Sequence, residues 1–376
     1  TGGGEALFPR TRRDIPEALF PGDLTVDRPE RPHRHVAGRL FRRMGQAVGG
    51  ASLSPALVFN HHSLPFDSVA QADSAIPEFL RICLRSQRLG YSVILVDESV
   101  DSQWFCVRLA GEYFWRDWYR KKRGSAEERD AIRVFLGIAT RSFGINDVPE
   151  PCLFEVHVPG FQTAFSALRA AVGFEAPLVG FPTRSPWNAS PVAVVIERLG
   201  ADGVVDTRPG ELVNLHSLDV FAIFEADFRK RKEDALKSGR DVLEQWGLLY
   251  PSLVLCDAAK GQLASWSHSP TVLEQVKESL SALERFSSEW KEGRVPAYSH
   301  EALRAAGLNH EVSGESETVR HNRRLQGCRE FWLPCGSKEF FEDHVKLSGG
   351  FRIHMYADVN TRNLYIGHVG PHLPTD

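Results

Sequence analysis

The stretch "GGFRIHMYADVNTRNLYIGHVGPHLPT", residues 349–375, decides how the last third of the chain is read. Alternation sets Arg352, His354 and Tyr356 on one side of a strand and Phe351, Ile353 and Met355 on the other. A second alternating run, "LYIGHVG", follows after a short polar gap. The pair reads as a hairpin with one apolar and one polar face. A turn over 359–363 sets His354 directly opposite His368. A slip of one residue turns His368 into the core instead.

Working back along the chain, "SLVLCD" (252–257) is a short apolar strand and "AAKGQLASW" a short helix. Ser269 is a helix cap with Pro270 at the first helical position. The helix that follows carries Val272, Leu273, Val276, Leu280, Leu283, Phe286 and Trp290 on one stripe, and Gly293 and Pro296 end it. "SHEALRAAGL" is another short helix, capped by Ser299. "GESETVRHNRRLQG" is polar and reads as a flexible stretch. "CREFWLP" and "EFFEDHVKL" read as strands that lead into the hairpin. The expected product is an antiparallel meander with a helical pair on one face and the other face open to ligand.

The rest of the chain is less legible. Residues 1–50 are rich in Pro and Arg and read as an extended N-terminal arm. Residues 51–223 alternate strand-like and helical runs, among them "ALVFN", "YSVILVDE", "CLFEVHV" and "PVAVVIERL". They read as a mixed α/β domain with no glycine-rich phosphate loop and no His-Glu metal signature. "SQWFCVRLAGEYFWRDWYRKKRG" (102–124) reads as one helix. Its aromatics Trp104, Phe105, Tyr113, Phe114, Trp115, Trp118 and Tyr119 read as core rather than a base-stacking platform. Residues 224–248 read as a helical linker, and 249–376 as the C-terminal domain. The fold class expected is α+β.

The composition is that of an ordinary globular protein: 42% hydrophobic and 25% charged, with a net charge of −3. Such a balance does not argue for a nucleic-acid or acidic-membrane partner. No apolar run reaches the ~20 residues of a membrane span. Six scattered cysteines suit buried thiols in a reducing cytoplasm better than a disulfide framework. Asp147, Glu150, Glu155 and His157 fit no metal-site spacing, so neither metal nor other cofactor is expected.

The C-terminal elements, in the order strand, helix, helix, antiparallel strands, resemble the RelE/ParE/HigB superfamily of small bacterial toxins. "SLVLCDAAKGQLASW…VLEQVKESLSALERF" is similar to the toxins' first strand and helical hairpin. "GGFRIHMYADVNTRNLYIGHVG" is similar to their paired strands, with Arg352 at the strand-arginine position and His368 at the final Gly-His. The likeness covers residues 250–370. More loosely, the whole chain resembles bacterial proteins of unassigned activity that end in a similar "RIH…IGYIG-HL" segment. The resemblance implies a toxin-like effector, in the setting of antiphage defence, acting on RNA or the ribosome.

Metal-independent RNA cleavage needs a base, an acid and a cation on the phosphate. Six of the fourteen histidines fall after residue 309. The candidate endoribonuclease site is Arg352 on the phosphate, His354 and His368 as acid and base, and Tyr356 and His344 in support. Lys346, Arg320, Arg323 and Arg324 are the candidate RNA-backbone contacts. The alternative is a non-catalytic subunit of a defence or toxin complex that binds a protein or nucleic-acid partner, or a second copy of itself. Charge bears on the choice: from Tyr250 onward there are 14 Lys and Arg against 16 Asp and Glu. Phosphate contacts reward a basic excess that this stretch lacks.

Overall fold

Two short apolar runs, ALVF and VILVD, are buried on successive residues and so on both sides, and they form the centre of the first sheet. A computed structural model of the chain describes residues 55–98, 100, 106–122, 133, 139–143, 148, 154–161, 163–200, 202–266 and 269–375. β1 (Ala56–Phe59), β2 (Val93–Asp97), β5 (Ala139–Phe143), β7 (Leu178–Val179) and β10 (Asn214–Leu215) make one sheet in the order β10-β7-β1-β2-β5. Every pairing in it is parallel. The chain therefore winds outward from β1 through β2 to β5, then returns to the other side of β1 for β7 and β10. That is a doubly wound sheet with its reversal between β1 and β7.

Both faces of this sheet are covered. Helix α1 (Val69–Arg88) is capped by Ser68, which accepts a hydrogen bond from the Gln71 N–H. It buries Ile76, Phe79, Leu80 and Ile82 against one face, together with α4 (Leu218–Asp234) through Phe221, Phe224 and Phe228. Helix α3 (Ser166–Gly173) packs on the other face with β6 (Phe154–His157), β8 (Val192–Leu199) and β9 (Val205–Leu212), which form a separate antiparallel sheet. The expected helix over 102–124 is, where described, a hairpin followed by a shorter helix. β3 (Arg108–Ala110) turns at Gly111, with φ +46°, into β4 (Tyr113–Phe114), and only Trp115–Lys122 (α2) is helical. Trp115 and Trp118 are buried in the core, as the core reading requires. Trp104 and Phe105 lie outside the described residues.

The expected linker over 224–248 is not a separate element. Phe224 and Phe228 of α4 belong to the first core, and α5 (Gly239–Glu244) begins after Ser238, in a capping box with Asp241. α6 (Trp246–Leu249) leads into the second sheet. Arg229 of α4 holds the Leu248 carbonyl and pairs with Glu225, which also pairs with Arg85 of α1.

The second sheet runs β11-β17-β16-β15-β12, from β11 (Leu253–Leu255), β17 (Asn363–Pro371), β16 (Phe351–Asp358), β15 (Asp343–Lys346) and β12 (Val312–Ser313). It is mixed rather than wholly antiparallel, because β11 lies parallel to β17. The crossover between them carries α7 (Asp257–Ala264) and α8 (Pro270–Lys291), and a helical crossover is what a parallel pair requires. α8 begins where Ser269 caps it and presents the expected stripe to Ile353, Met355, Leu364, Ile366 and Val369. α9 (His300–Ala305) is capped by Ser299.

Three expectations for the polar face are corrected. "TVRHNRR" is not flexible: it forms α10 (Glu317–His321) and α11 (Arg323–Gly327), capped by Ser316 and Asn322. "CREFWLP" and the start of "EFFEDHVKL" do not join the sheet. They form a hairpin of their own, β13 (Glu330–Trp332) with β14 (Lys338–Phe340). That hairpin lies over the face expected to be open, through Phe331, Leu333 and Phe341 against Tyr356 and Tyr365. Among the described residues no helix is long and apolar enough to cross a membrane. Five cysteines are described, all free: Cys83 and Cys256 are buried, Cys335 exposed.

Candidate functional site

The turn between β16 and β17 is one residue shorter than expected. Asp358 pairs with Asn363, and the register runs evenly to Met355 opposite Ile366. A bulge then takes up Gly367, so that His354 nonetheless meets His368. A Cβ on Gly367 would lie 2.6 Å from Phe331 Cδ2 and 2.6 Å from Phe341 Cε1. Only glycine lets the two hairpin rings sit directly on the strand there.

On the next strand His344 pairs with His354, so three imidazoles stand in a row across β15, β16 and β17. Their ring centroids are 5.0 and 5.4 Å apart. The row is enclosed: His354 is 1% exposed, His368 4% and His344 6%. Burial disfavours the charged form, holding His354 down to about 2 and keeping His344 and His368 below the usual imidazole range.

The hydrogen bonds fix the state of His368. Its Nε2 faces the Pro371 carbonyl at 2.9 Å, which can only accept, so Nε2 carries the proton. Nδ1 then accepts from Gln262 Nε2 at 2.7 Å, while Gln262 Oε1 takes the Val369 N–H. Phe331 stacks on the ring at 6.1 Å. Both nitrogens of His368 are engaged. His354 directs Nδ1 to the Phe341 carbonyl at 3.4 Å, and its Nε2 has no partner.

Beneath the hairpin a carboxylate gathers the row. Glu315 Oε1 lies 2.5 Å from Arg329 Nε, 3.6 Å from His344 Nδ1 and 3.8 Å from His354 Nδ1. The Arg329 contact is ionic rather than a well-aligned hydrogen bond, since Nε finds no acceptor in line. Arg329 is itself fully buried, and its Nη1 donates to the Leu325 and Pro374 carbonyls. Glu315, His344 and His354 offer atoms within 4.8 Å of one another, the spacing a divalent cation would span. The guanidinium already meets the charge of that carboxylate from a side chain.

The other candidates lie toward the rim. Arg352 is half-buried and donates to the Phe351 carbonyl at 2.7 Å. Tyr356 packs against Phe341 and Tyr365. Lys346 is paired with Glu311, and Arg320 with Glu317 and Glu342. Arg323 and Arg324 are exposed on α11. The fold thus brings His344, His354 and His368 together, and commits the expected backbone-binding cations Lys346 and Arg320 to ion pairs.

A second group escaped the sequence reading. At the carboxyl end of β1 the residues Asn60, His61, His62 and Ser63 turn across the reversal point of the parallel sheet. Asp97 ends the neighbouring β2. Burial lowers His61 to about 4 and His62 well below the usual range, partly offset by Asp97. The signal was present as "FNHHS", two imidazoles and a carboxamide directly after an apolar strand. Elsewhere Glu155 and Glu197 face each other across β6 and β8, with His157 Nε2 3.4 and 3.6 Å from them. Asp147 and Glu150 lie outside the described residues.

The described chain is a mixed α/β protein in which a doubly wound parallel sheet is joined to a mixed sheet with an enclosed polar face. Compared with known protein families, curated proteins and solved structures, it matches none.

Proposed function

We propose that this chain is a non-catalytic interaction protein of a bacterial defence or toxin-type complex, in which residues 249–376 supply a toxin-like scaffold. The order β11, α7, α8, β15, β16, β17 supports the scaffold reading. One observation carries the non-catalytic reading: both ring nitrogens of His368 are engaged under the β13–β14 hairpin. An acid or base must reach its substrate within hydrogen-bond distance and change protonation near the working pH. His354, buried and held to about 2, meets neither condition. The row acts instead as a polar layer that seats the hairpin on the sheet.

The RNA-cleaving reading retains one supporting feature, the placement of His354 opposite His368 on the face that bears Arg352. It requires the hairpin to lift. The test is expression of the wild-type chain beside Arg352→Ala and His354→Ala/His368→Ala, with growth and total RNA integrity followed. The expected result is intact RNA in every strain. RNA cut by the wild type and spared by the variants would overturn the proposal.

A further inference from the structure

The turn after β1 is tied tightly by its backbone and by Ser63, while the side chain of Asn60 ties to nothing. Asn60 N–H donates to the Val179 carbonyl at 2.8 Å. Ser63 Oγ donates to the Asn60 carbonyl at 2.6 Å and accepts from Phe181 N–H at 3.1 Å, and Thr183 Oγ1 donates to the Ser63 carbonyl. Gly180 permits this closeness, since a Cβ there would lie 3.0 Å from Ser63 Oγ and 3.1 Å from Asn60 Cβ. Within that fixed frame Asn60 is 0% exposed, and neither its Oδ1 nor its Nδ2 has a partner. His61 Nδ1 and His62 Nε2 are also buried without partners, as is His216 Nδ1 just beyond β10.

Buried polar groups are nearly always paired, so a run of unpaired ones marks where something else supplies the partner. The place is also where doubly wound sheets take ligands, outside the carboxyl ends of the strands at the reversal point. The chemistry narrows the ligand. Arg184 donates to the Leu64 and Pro65 carbonyls beside this turn, and Asp97 sits at the end of β2, which disfavours an anion. The imidazoles and Asp97 do not converge at cation-binding distance, as two other groups of the described residues do. What remains is a neutral donor–acceptor pair on one carboxamide, two imidazoles 3.8 Å apart, and an aromatic corner beside His62, where Trp187 lies roughly parallel to the imidazole and Phe165 stands at 87° to Trp187. A carboxamide presents N–H and C=O side by side and matches the edge of a heterocycle that does the same.

We infer that this turn, at the reversal point of the sheet, binds an uncharged, flat heterocycle of the nucleobase or nucleoside class, with Asn60 reading its donor–acceptor edge. The inference stands apart from the proposed role of the C-terminal sheet, and the RNA-integrity measurement does not bear on it. The experiment titrates adenosine, guanosine, cytidine and uridine separately into the full chain by calorimetry. Asn60→Leu and His62→Phe follow; the second keeps the ring contacts with Phe165 and Trp187. At least one nucleoside is expected to bind the wild type with a dissociation constant at or below about 1 mM, and both variants to weaken it about tenfold or more. Asn60→Leu should melt no lower than wild type, because it removes two unpaired buried atoms at similar volume. A lower melting point assigns Asn60 a structural role, and His62→Phe then decides the binding question. If no nucleoside binds, or if His62→Phe binds as wild type does, the inference fails and ordered water is the partner of these groups.

Discussion

Gly367→Ala tests the enclosed histidine row more directly than any change to the histidines themselves. The added methyl would sit 2.6 Å from one carbon of Phe331 and 2.6 and 2.7 Å from two of Phe341. Ordinary contact begins near 3.4 Å, so each ring must retreat by about 0.8 Å. Phe341 has no free room, and Phe331, half-buried, is blocked on the side of His368. Phe341 is fully buried, with Phe331 at 5.1 Å and Tyr356 at 5.8 Å between centroids, and Phe331 is backed by His368. Overpacking of this kind costs about 1–3 kcal/mol, and two obstructed rings place the change at the upper end, about 3 kcal/mol. The relief available is to lift the β13–β14 hairpin, which also wets His354 and His368. The assay is urea unfolding followed by tryptophan fluorescence, with midpoint and slope compared at constant protein concentration. Imidazole proton NMR adds a second readout, in which the His354 resonance, silent near neutral pH in the wild type, begins to titrate. Gly247→Ala is the control: nothing lies within 4 Å of its Cβ, and it should be neutral or slightly stabilising. An unchanged midpoint for Gly367→Ala, with the histidines still silent, would refute the account of rings seated on the bulge.

Three other outcomes follow from the same packing. His354 takes a proton near 6.5 when unfolded and only near 2 when folded, so below pH 6.5 protons go to the unfolded chain. Stability should therefore fall as pH drops, by about 2 kcal/mol at pH 5 from this residue alone, and a denaturation midpoint flat between pH 7 and 5 would contradict it. Glu315→Ala strands the buried Arg329 charge and should cost about 3–5 kcal/mol, whereas Glu315→Leu/Arg329→Met should cost less than that; a double-mutant cycle measures the difference. Ser63→Ala leaves the Phe181 N–H without its acceptor and should lower stability by about 1–3 kcal/mol in chemical denaturation.

The sequence was legible where periodicity and caps agreed. The helix from Pro270 to Lys291 follows from Ser269, Pro270 and a stripe of apolar residues at helical spacing, each pointing to the same answer. The hairpin of β16 and β17 was legible for the same reason, since "FRIHMYAD" alternates cleanly. The bulge at Gly367 was not, because a bulge is a compromise between strand pairing and the rings that press on the strand from another element. The covering hairpin was hidden for a similar reason. "CREFWLP" has the composition of a sheet strand, and nothing local says that it folds over the sheet instead of beside it. Residues 102–124 misled through their aromatics, which bury equally well from a strand pair and from a helix. Of the candidate site, the opposition of His354 and His368 was expected from a turn one residue longer than the real one and holds only because the bulge at Gly367 restores it, and their burial comes from the covering hairpin, which is remote in sequence. The polar run "FNHHS" was visible in the sequence, but its place at the reversal of the sheet depended on the strand order.

The parallel pairing of β11 with β17 has a consequence for how this protein is made. β17 lies inside its sheet, between β11 and β16, although it is the last of the described strands. Leu253 finds its partner Leu364 only after about 110 further residues have been synthesised. The doubly wound half contains all its strands by Leu215 and can fold while translation continues. The second half must wait, with β11 unpaired and the apolar stripe of α8 only partly covered until residues 363–371 arrive. Premature termination just before β17 would thus release a chain whose first half is native and whose second half offers an unfilled strand position, a substrate for chaperones or for strand exchange with another copy.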